Sequence, residues 1–250
     1  MSIVRYCLLW VSRTGSLTAR RFTLARSSNL SGFALFVFGS AKGGEFFNSQ
    51  SKEQYHDAAK RYAVQVITEI KAHALGIRHH LPDCTTIVDV GGQDSKVITL
   101  NAQGKVANFQ MNDKCAAGTG RFLEIMAASL AYPLTEFGQA ALGAEQEVQI
   151  SSMCTVFAES EVISLKNRGV PREQIARTVH SSVVTRLVAM LSRTGYGEAV
   201  AFSGGVANNP CMVRMLQERL GDTQVLVPEF PDITGAFGAA LSAIENKKLF

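Results

Sequence analysis

Two glycine pairs, each set directly behind a short apolar run, constrain the fold of this chain more than any other feature. Thr85-Thr86-Ile87-Val88-Asp89-Val90 reads as a buried strand, Gly91-Gly92-Gln93-Asp94 as a tight turn, and Lys96 to Leu100 as the antiparallel partner. Asn101-Ala102-Gln103-Gly104 makes a second turn, and Val106 to Met111 a third strand. Further on, Ala199-Val200-Ala201-Phe202 is a strand that runs into Ser203-Gly204-Gly205-Val206-Ala207-Asn208-Asn209-Pro210, and then into a helix with Met212, Met215, Leu216 and Leu220. Glycine leaves the backbone bare, so both junctions let N–H groups approach phosphate oxygens, the second with a helix start facing them. Asp89 and Asp94 are placed to hold a magnesium ion or its water, and Gln93 to orient an attacking water. Taken singly, the first junction is equally an ordinary hairpin with Asp in its turn, and the second an ordinary strand-to-helix connection.

Two cysteines stand in similar company. Cys115 lies in Asn112-Asp113-Lys114-Cys115-Ala116-Ala117-Gly118-Thr119-Gly120-Arg121, and residues 121–130 place Phe122, Leu123, Ile125, Met126 and Leu130 at helical spacing. Backbone N–H groups and the positive end of that helix are expected to face Cys115, favouring thiolate and an anionic partner. Cys154 lies in Ser151-Ser152-Met153-Cys154-Thr155-Val156-Phe157-Ala158-Glu159-Ser160-Glu161, again before a helical run through Leu165. A 4Fe-4S cluster takes about four protein ligands, usually thiolates, and no C-x-x-C pair supplies them locally. Two identical chains, each giving Cys115 and Cys154 across a two-fold axis, would complete the set. The alternative is a pair of buried cysteines beside helix caps. Cys7, Cys84 and Cys211 lie in apolar or loop-like surroundings and read as structural.

Composition permits this without selecting it. A chain of 250 residues, 46% hydrophobic, has room for a large core in one or two domains. Five irregularly spaced cysteines argue against a secreted disulfide framework and suit a reducing compartment, so a cytoplasmic protein is expected. The longest apolar run, Phe33 to Phe38, is too short to span a bilayer.

The net charge of +4 is unevenly distributed. Residues 1–44 hold Arg5, Arg13, Arg20, Arg21, Arg26 and Lys42, seven serines and no acidic residue, whereas residues 81–250 are net acidic. Such a segment resembles an organelle transit peptide, a misread frame or a degraded domain. Its arginines lack aromatic interleaving on a nucleic-acid-binding module, so no nucleic-acid partner is expected. From about residue 55 the pattern is regular, with Tyr62, Val66, Ile67 and Ile70 spaced as a helix ending near Gly76. Near the C-terminus, Thr234-Gly235-Ala236-Phe237-Gly238-Ala239-Ala240 has small residues suited to close helix packing.

These signals together resemble the ATP-dependent activators of 2-hydroxyacyl-CoA dehydratases, a family similar to the ATPase subunits of benzoyl-CoA reductase. The resemblance rests on Thr68-Glu69-Ile70-Lys71-Ala72-His73-Ala74, on Asp89-Val90-Gly91-Gly92-Gln93-Asp94-Ser95-Lys96, on both cysteine blocks and on Ser203-Gly204-Gly205-Val206-Ala207-Asn208-Asn209. It spans roughly residues 61–246. It implies an α/β fold of the acetate kinase, sugar kinase, Hsp70 and actin type, with ATP between two lobes, here residues 1–80 and 81–250. It further implies a homodimer sharing one 4Fe-4S cluster through Cys115 and Cys154 of each chain. Electrons from ferredoxin or flavodoxin would pass to a partner dehydratase or reductase at the expense of ATP, with Mg2+ as its cofactor. By the same resemblance Gln93 and Asp94 serve the phosphate and water side, with Asp89, Gly91, Gly92 and Lys96 around them, and Gly204, Gly205 and Asn208 lie against adenosine.

One departure bears on activity. The family opens with a first phosphate loop, Asp-x-Gly-Ser-Thr-x-x-Lys, and the nearest match is Arg13-Thr14-Gly15-Ser16-Leu17-Thr18-Ala19-Arg20. Arg13 stands where the magnesium-side Asp belongs and Leu17 where a hydroxyl belongs, and a guanidinium competes with a metal ion rather than holding it. The expectation is a corrupted or misread N-terminal lobe and impaired ATP hydrolysis. Two other classes stay open: a cluster-binding remnant without turnover, and a cluster-free ATPase or kinase of the same fold.

Overall fold

The computed structural model describes residues 5–11, 17–23, 35–38, 65–113, 115–148 and 155–246. The chain divides into two compact units, residues 1–76 with 235–250, and residues 77–234. In the first unit β1 (Arg5–Val11) pairs antiparallel with β2 (Leu17–Thr23), and β3 (Leu35–Phe38) with β4 (Gln65–Thr68). This corrects the helix expected to include Val66 and Ile67, while Ile70 is helical as expected and Tyr62 lies outside the described residues. Val66 and Ile67 lie in β4 opposite Val37 and Phe36, and helix α1 (Glu69–His80) starts only at Glu69 and continues through Gly76. Val66, Ile67 and Thr68 are β-branched, and a partner strand turns that preference into a ladder, which apolar spacing alone does not reveal. In the same unit the helix Thr234–Asn246 approaches α1 so closely that a Cβ on Gly238 would overlap the Ala72 carbonyl oxygen. The small residues read from the sequence therefore meet a backbone.

The second unit is built on a five-stranded sheet of order β7-β6-β5-β8-β9. β5 (Thr86–Val90), β6 (Ser95–Leu100) and β7 (Val106–Asn112) form an antiparallel meander, and β8 (Ala199–Ser203) and β9 (Gln224–Leu226) add in parallel. Parallel pairing of β8 with β5 needs a long connection, which the chain fills with helices α2 (Gly120–Ser129), α3 (Leu134–Leu142), α4 (Thr155–Asn167) and α5 (Arg172–Thr194). Helix α6 (Pro210–Leu220) then joins β8 to β9.

Strand alternation sorts the sheet into two faces. Val88, Val90, Val97, Val200 and Phe202 pack with Phe122 and Met126 of α2, Phe137 of α3, Leu187 of α5 and Met212 of α6 into one core. Ile87, Asp89, Lys96, Ile98, Ala201 and Ser203 occupy the alternate positions, so three polar side chains share the other face of the central strands. Among the described residues no helix is long and apolar enough to cross a membrane.

Candidate functional site

Strand register assembles the charged centre. Asp89 on β5 lies opposite Lys96 on β6 and beside Ser203 on β8, and all three are buried. Lys96 Nζ donates to Asp94 Oδ1 at 2.9 Å and to Asp89 Oδ2 at 3.4 Å, while Ser203 Oγ donates to Asp89 Oδ1 at 2.9 Å. A fully buried ammonium is tolerable because two carboxylates compensate it. Asp89 and Asp94 present carboxylate oxygens of the kind a magnesium ion or its water takes, and Lys96 Nζ is hydrogen-bonded to both.

The glycine pairs converge on a cavity of about 500 Å³, lined by Gly91, Gly92, Gly205, Val206, Asn208, Asn209 and Pro210, with Arg121 and Glu124 of α2 and Leu134 and Gly138 of α3. That is a size suited to a small-molecule ligand. The two members of each pair differ. A Cβ on Gly91 would stand 3.0 Å from Asp94 Oδ1, and Gly204 has φ of 86° with its Cβ position overlapping the Val90 carbonyl oxygen. Gly92 and Gly205 have nothing within 4 Å of theirs. The first glycine of each pair thus closes the backbone, and the second leaves open space at the cavity. Gln93 is exposed on the β5–β6 turn.

Cys115 is half-buried against the core between β7 and α2. Its loop is tightly tied. Asn112 Nδ2 donates to the carbonyls of Cys115 and Ala117 at 3.0 and 2.9 Å, and Thr119 Oγ1 to that of Ala116 at 2.6 Å. Gly118, at φ of 90°, lies under the Arg186 side chain. The N–H groups opening α2 were expected to face Cys115, and the structure corrects this. Gly120 N donates to Gly91 O and Arg121 N to Gly92 O, both at 2.8 Å, and Phe122 N and Leu123 N donate to Thr119 O. Bare carbonyls of the glycine turn satisfy the helix start because Gly120 allows the contact: a Cβ there would sit 3.0 Å from Gly91 O and 3.2 Å from Val206 Cγ2.

Cys154 lies outside the described residues, and so do residues 12–16 with Arg13. Among the described residues no three or more His, Cys, Asp or Glu side chains gather as a metal site. Cys84 and Cys211, expected to be structural, are buried, and desolvation raises both thiols, that of Cys211 to about 12.

Sequence reasoning missed the contacts that hold Asn209 at the cavity edge. Asn209 Oδ1 accepts from Cys211 N at 3.0 Å and Met212 N at 3.3 Å, capping α6. Its Nδ2 lies 3.0 Å from Nε2 of His180, whose Nδ1 lies 2.7 Å from the Ala176 carbonyl. A carbonyl only accepts, so Nδ1 carries the proton and Nε2 accepts from Asn209. Burial holds His180 down at about 4, which keeps the ring neutral. Asn209-Pro210 was a readable cap with proline at the first helical position. Nothing local marked His180, in the middle of a long helix, or Ser203 as a partner of Asp89.

The sequence pattern of the BadF/BadG/BcrA/BcrD ATPase family matches residues 39–243. The chain belongs to this ATPase family. It is 44% identical over 194 residues to the 2-hydroxyisocaproyl-CoA dehydratase activator of Clostridioides difficile, covering 78% of this chain and 71% of that protein. It is 49% identical over 179 residues to the activator of lactoyl-CoA dehydratase of Anaerotignum propionicum, covering 72% and 69%. The solved activator of the 2-hydroxyisocaproyl-CoA dehydratase from Clostridium difficile with bound ADPNP superposes with a TM-score of 0.70 at 44% identity, over 73% of this chain and 68% of that one. The α/β ATPase fold expected from the sequence is therefore the fold this chain shares with that activator.

Proposed function

We propose that this ATPase is a cytoplasmic reductive activator. As a homodimer it couples ATP hydrolysis to the passage of single, strongly reducing electrons from ferredoxin or flavodoxin to a 2-hydroxyacyl-CoA dehydratase or a benzoyl-CoA reductase-type partner. The observation that carries the reading is the pair of hydrogen bonds from Gly120 and Arg121 to the carbonyls of Gly91 and Gly92. They tie the turn lining the cavity to the first turn of the helix that follows Cys115. A shift of the glycine turn on loss of a phosphate would move the start of α2, and through the Thr119 and Asn112 bonds the Cys115 backbone. Different affinities of ATP and ADP for the two arrangements must supply the driving force.

In the hydrolytic step Gln93 orients water toward the γ-phosphorus. The new P–O bond forms as the bond to the β-phosphate oxygen breaks, and ADP leaves with that oxygen. Asp89 and Asp94, held by Lys96, would hold a magnesium ion that offsets charge on the phosphates, and Gly204, Gly205 and Asn208 would border adenosine. Cys115 fits one thiolate ligand of a cluster, because it is half-buried where Cys84 and Cys211 are fully enclosed. With Cys154 it gives two thiolates per chain and four per homodimer. A cluster so held supplies a one-electron carrier.

One feature favours a second reading. Arg13 and Leu17 replace the carboxylate and hydroxyl of the family's first phosphate loop, and β1 and β2 form a hairpin on either side of residues 12–16. That reading is a remnant that dimerises and holds a cluster without hydrolysing ATP. Anaerobic purification with iron, sulfide and ATP turnover measured for wild type and Cys115→Ala separates the readings. About two irons and two sulfides per chain, lost in the variant, with turnover in the wild type, support the activator. Iron without turnover supports the remnant. A colourless protein that resists reconstitution overturns both and leaves a cluster-free ATPase or kinase.

A further inference from the structure

We infer that His180 is a positioning residue for the nucleotide, acting through Asn209 on the Gly205–Pro210 wall of the cavity. The inference rests on reading that cavity as the nucleotide site. His180 is completely buried, its ring is 4.7 Å from that of Phe137, and its two nitrogens meet the Ala176 carbonyl and Asn209 Nδ2. Each polar atom of the Asn209 side chain is thereby committed: Oδ1 to the first turn of α6, Nδ2 to α5. An amide held at both ends has one orientation, and the residues on either side, Asn208 and Pro210, line the cavity. From the opposite side Gly138 packs onto the same amide, where a Cβ would overlap Asn209 Oδ1. Helices α3, α5 and α6 therefore meet at Asn209, within the wall itself.

A neutral imidazole suits this task because it donates at one nitrogen and accepts at the other. Replacing it with an apolar side chain takes from the part-buried Asn209 Nδ2 its protein acceptor, so the amide is held only at its α6 end and no longer has one orientation. The wall then loses its preset shape, and ligand binding must supply the ordering.

The test is isothermal titration with ATP, and separately with ADPNP, of wild type, His180→Leu, His180→Gln, Asn209→Ala, the His180→Leu/Asn209→Ala double variant and Leu187→Ala, with thermal unfolding of each nucleotide-free protein. Leu187 is a fully buried core residue of α5 and reports destabilisation alone. The expected result is about tenfold weaker nucleotide binding in His180→Leu and in Asn209→Ala, no further loss in the double variant, and recovery to within about threefold in His180→Gln, which keeps an acceptor. Leu187→Ala should melt lower yet bind as wild type does. Wild-type affinity in His180→Leu, or an equal weakening in Leu187→Ala, would overturn the inference. If wild type itself binds neither nucleotide, the reading of the cavity falls, and this inference with it.

Discussion

Acidification from pH 7 to pH 5 should destabilise the nucleotide-free protein through His180. Burial depresses this histidine from its ordinary 6.5 to about 4. Between those values the unfolded chain takes up a proton that the folded chain refuses. The stability contributed by the neutral ring is complete above 6.5 and is lost as pH falls toward 4. At pH 5 roughly 1.5 pH units of that interval have been crossed, which amounts to about 2 kcal/mol at about 1.4 kcal/mol per unit. For a fold stabilised by about 5–15 kcal/mol that is readily measured. Urea unfolding at both pH values, on wild type and on His180→Gln without nucleotide, isolates the effect, because glutamine does not titrate and every other group is shared. Wild type should lose about 2 kcal/mol more than the variant over this range. Equal losses would refute the assignment of a buried, neutral ring.

Lys96→Met leaves Asp89 and Asp94 buried without their shared cation, and should cost about 3–5 kcal/mol in urea unfolding; a loss below about 1 kcal/mol would show that the carboxylates find other compensation. Gly204→Ala should destabilise by more than about 2 kcal/mol, because φ of 86° and the Val90 carbonyl both oppose a side chain, while Gly205→Ala, facing open space, should stay within about 0.5 kcal/mol of wild type. Similar losses in the two alanine variants would contradict this division of labour. In apo protein at pH 8, iodoacetamide labelling read by peptide mass spectrometry should modify Cys115 well ahead of Cys84 and Cys211, whose thiols are buried and raised. Comparable rates at the three positions would count against that burial.

Much of the sheet was legible in advance. β5, β6, β7 and β8 fall within a residue or so of the apolar runs that announced them, because alternation and glycine punctuation are local signals. Val66 and Ile67 depart from the expected helix because their apolar spacing suits one while a partner strand at Leu35–Phe38 draws them into extended backbone. The direction of the α2 start was misread for a related reason: nothing near Cys115 in the chain reveals that Gly91 and Gly92 offer two free carbonyls to Gly120 and Arg121.

Local chemistry dictates where the backbone must be bare, where a helix is capped and where strands run, since each depends on a few neighbouring residues. The turn Gly91–Asp94 even implies the pairing of Asp89 with Lys96, because a short hairpin loop sets its own register. Three-dimensional packing alone selects Ser203 as the partner of Asp89 across 114 positions and His180 as the anchor of Asn209 across 29. Those choices follow from the parallel register of β8 on β5 and from the helices that cover the sheet. A hydrogen bond between distant positions exists only once the core has brought them within about 3 Å.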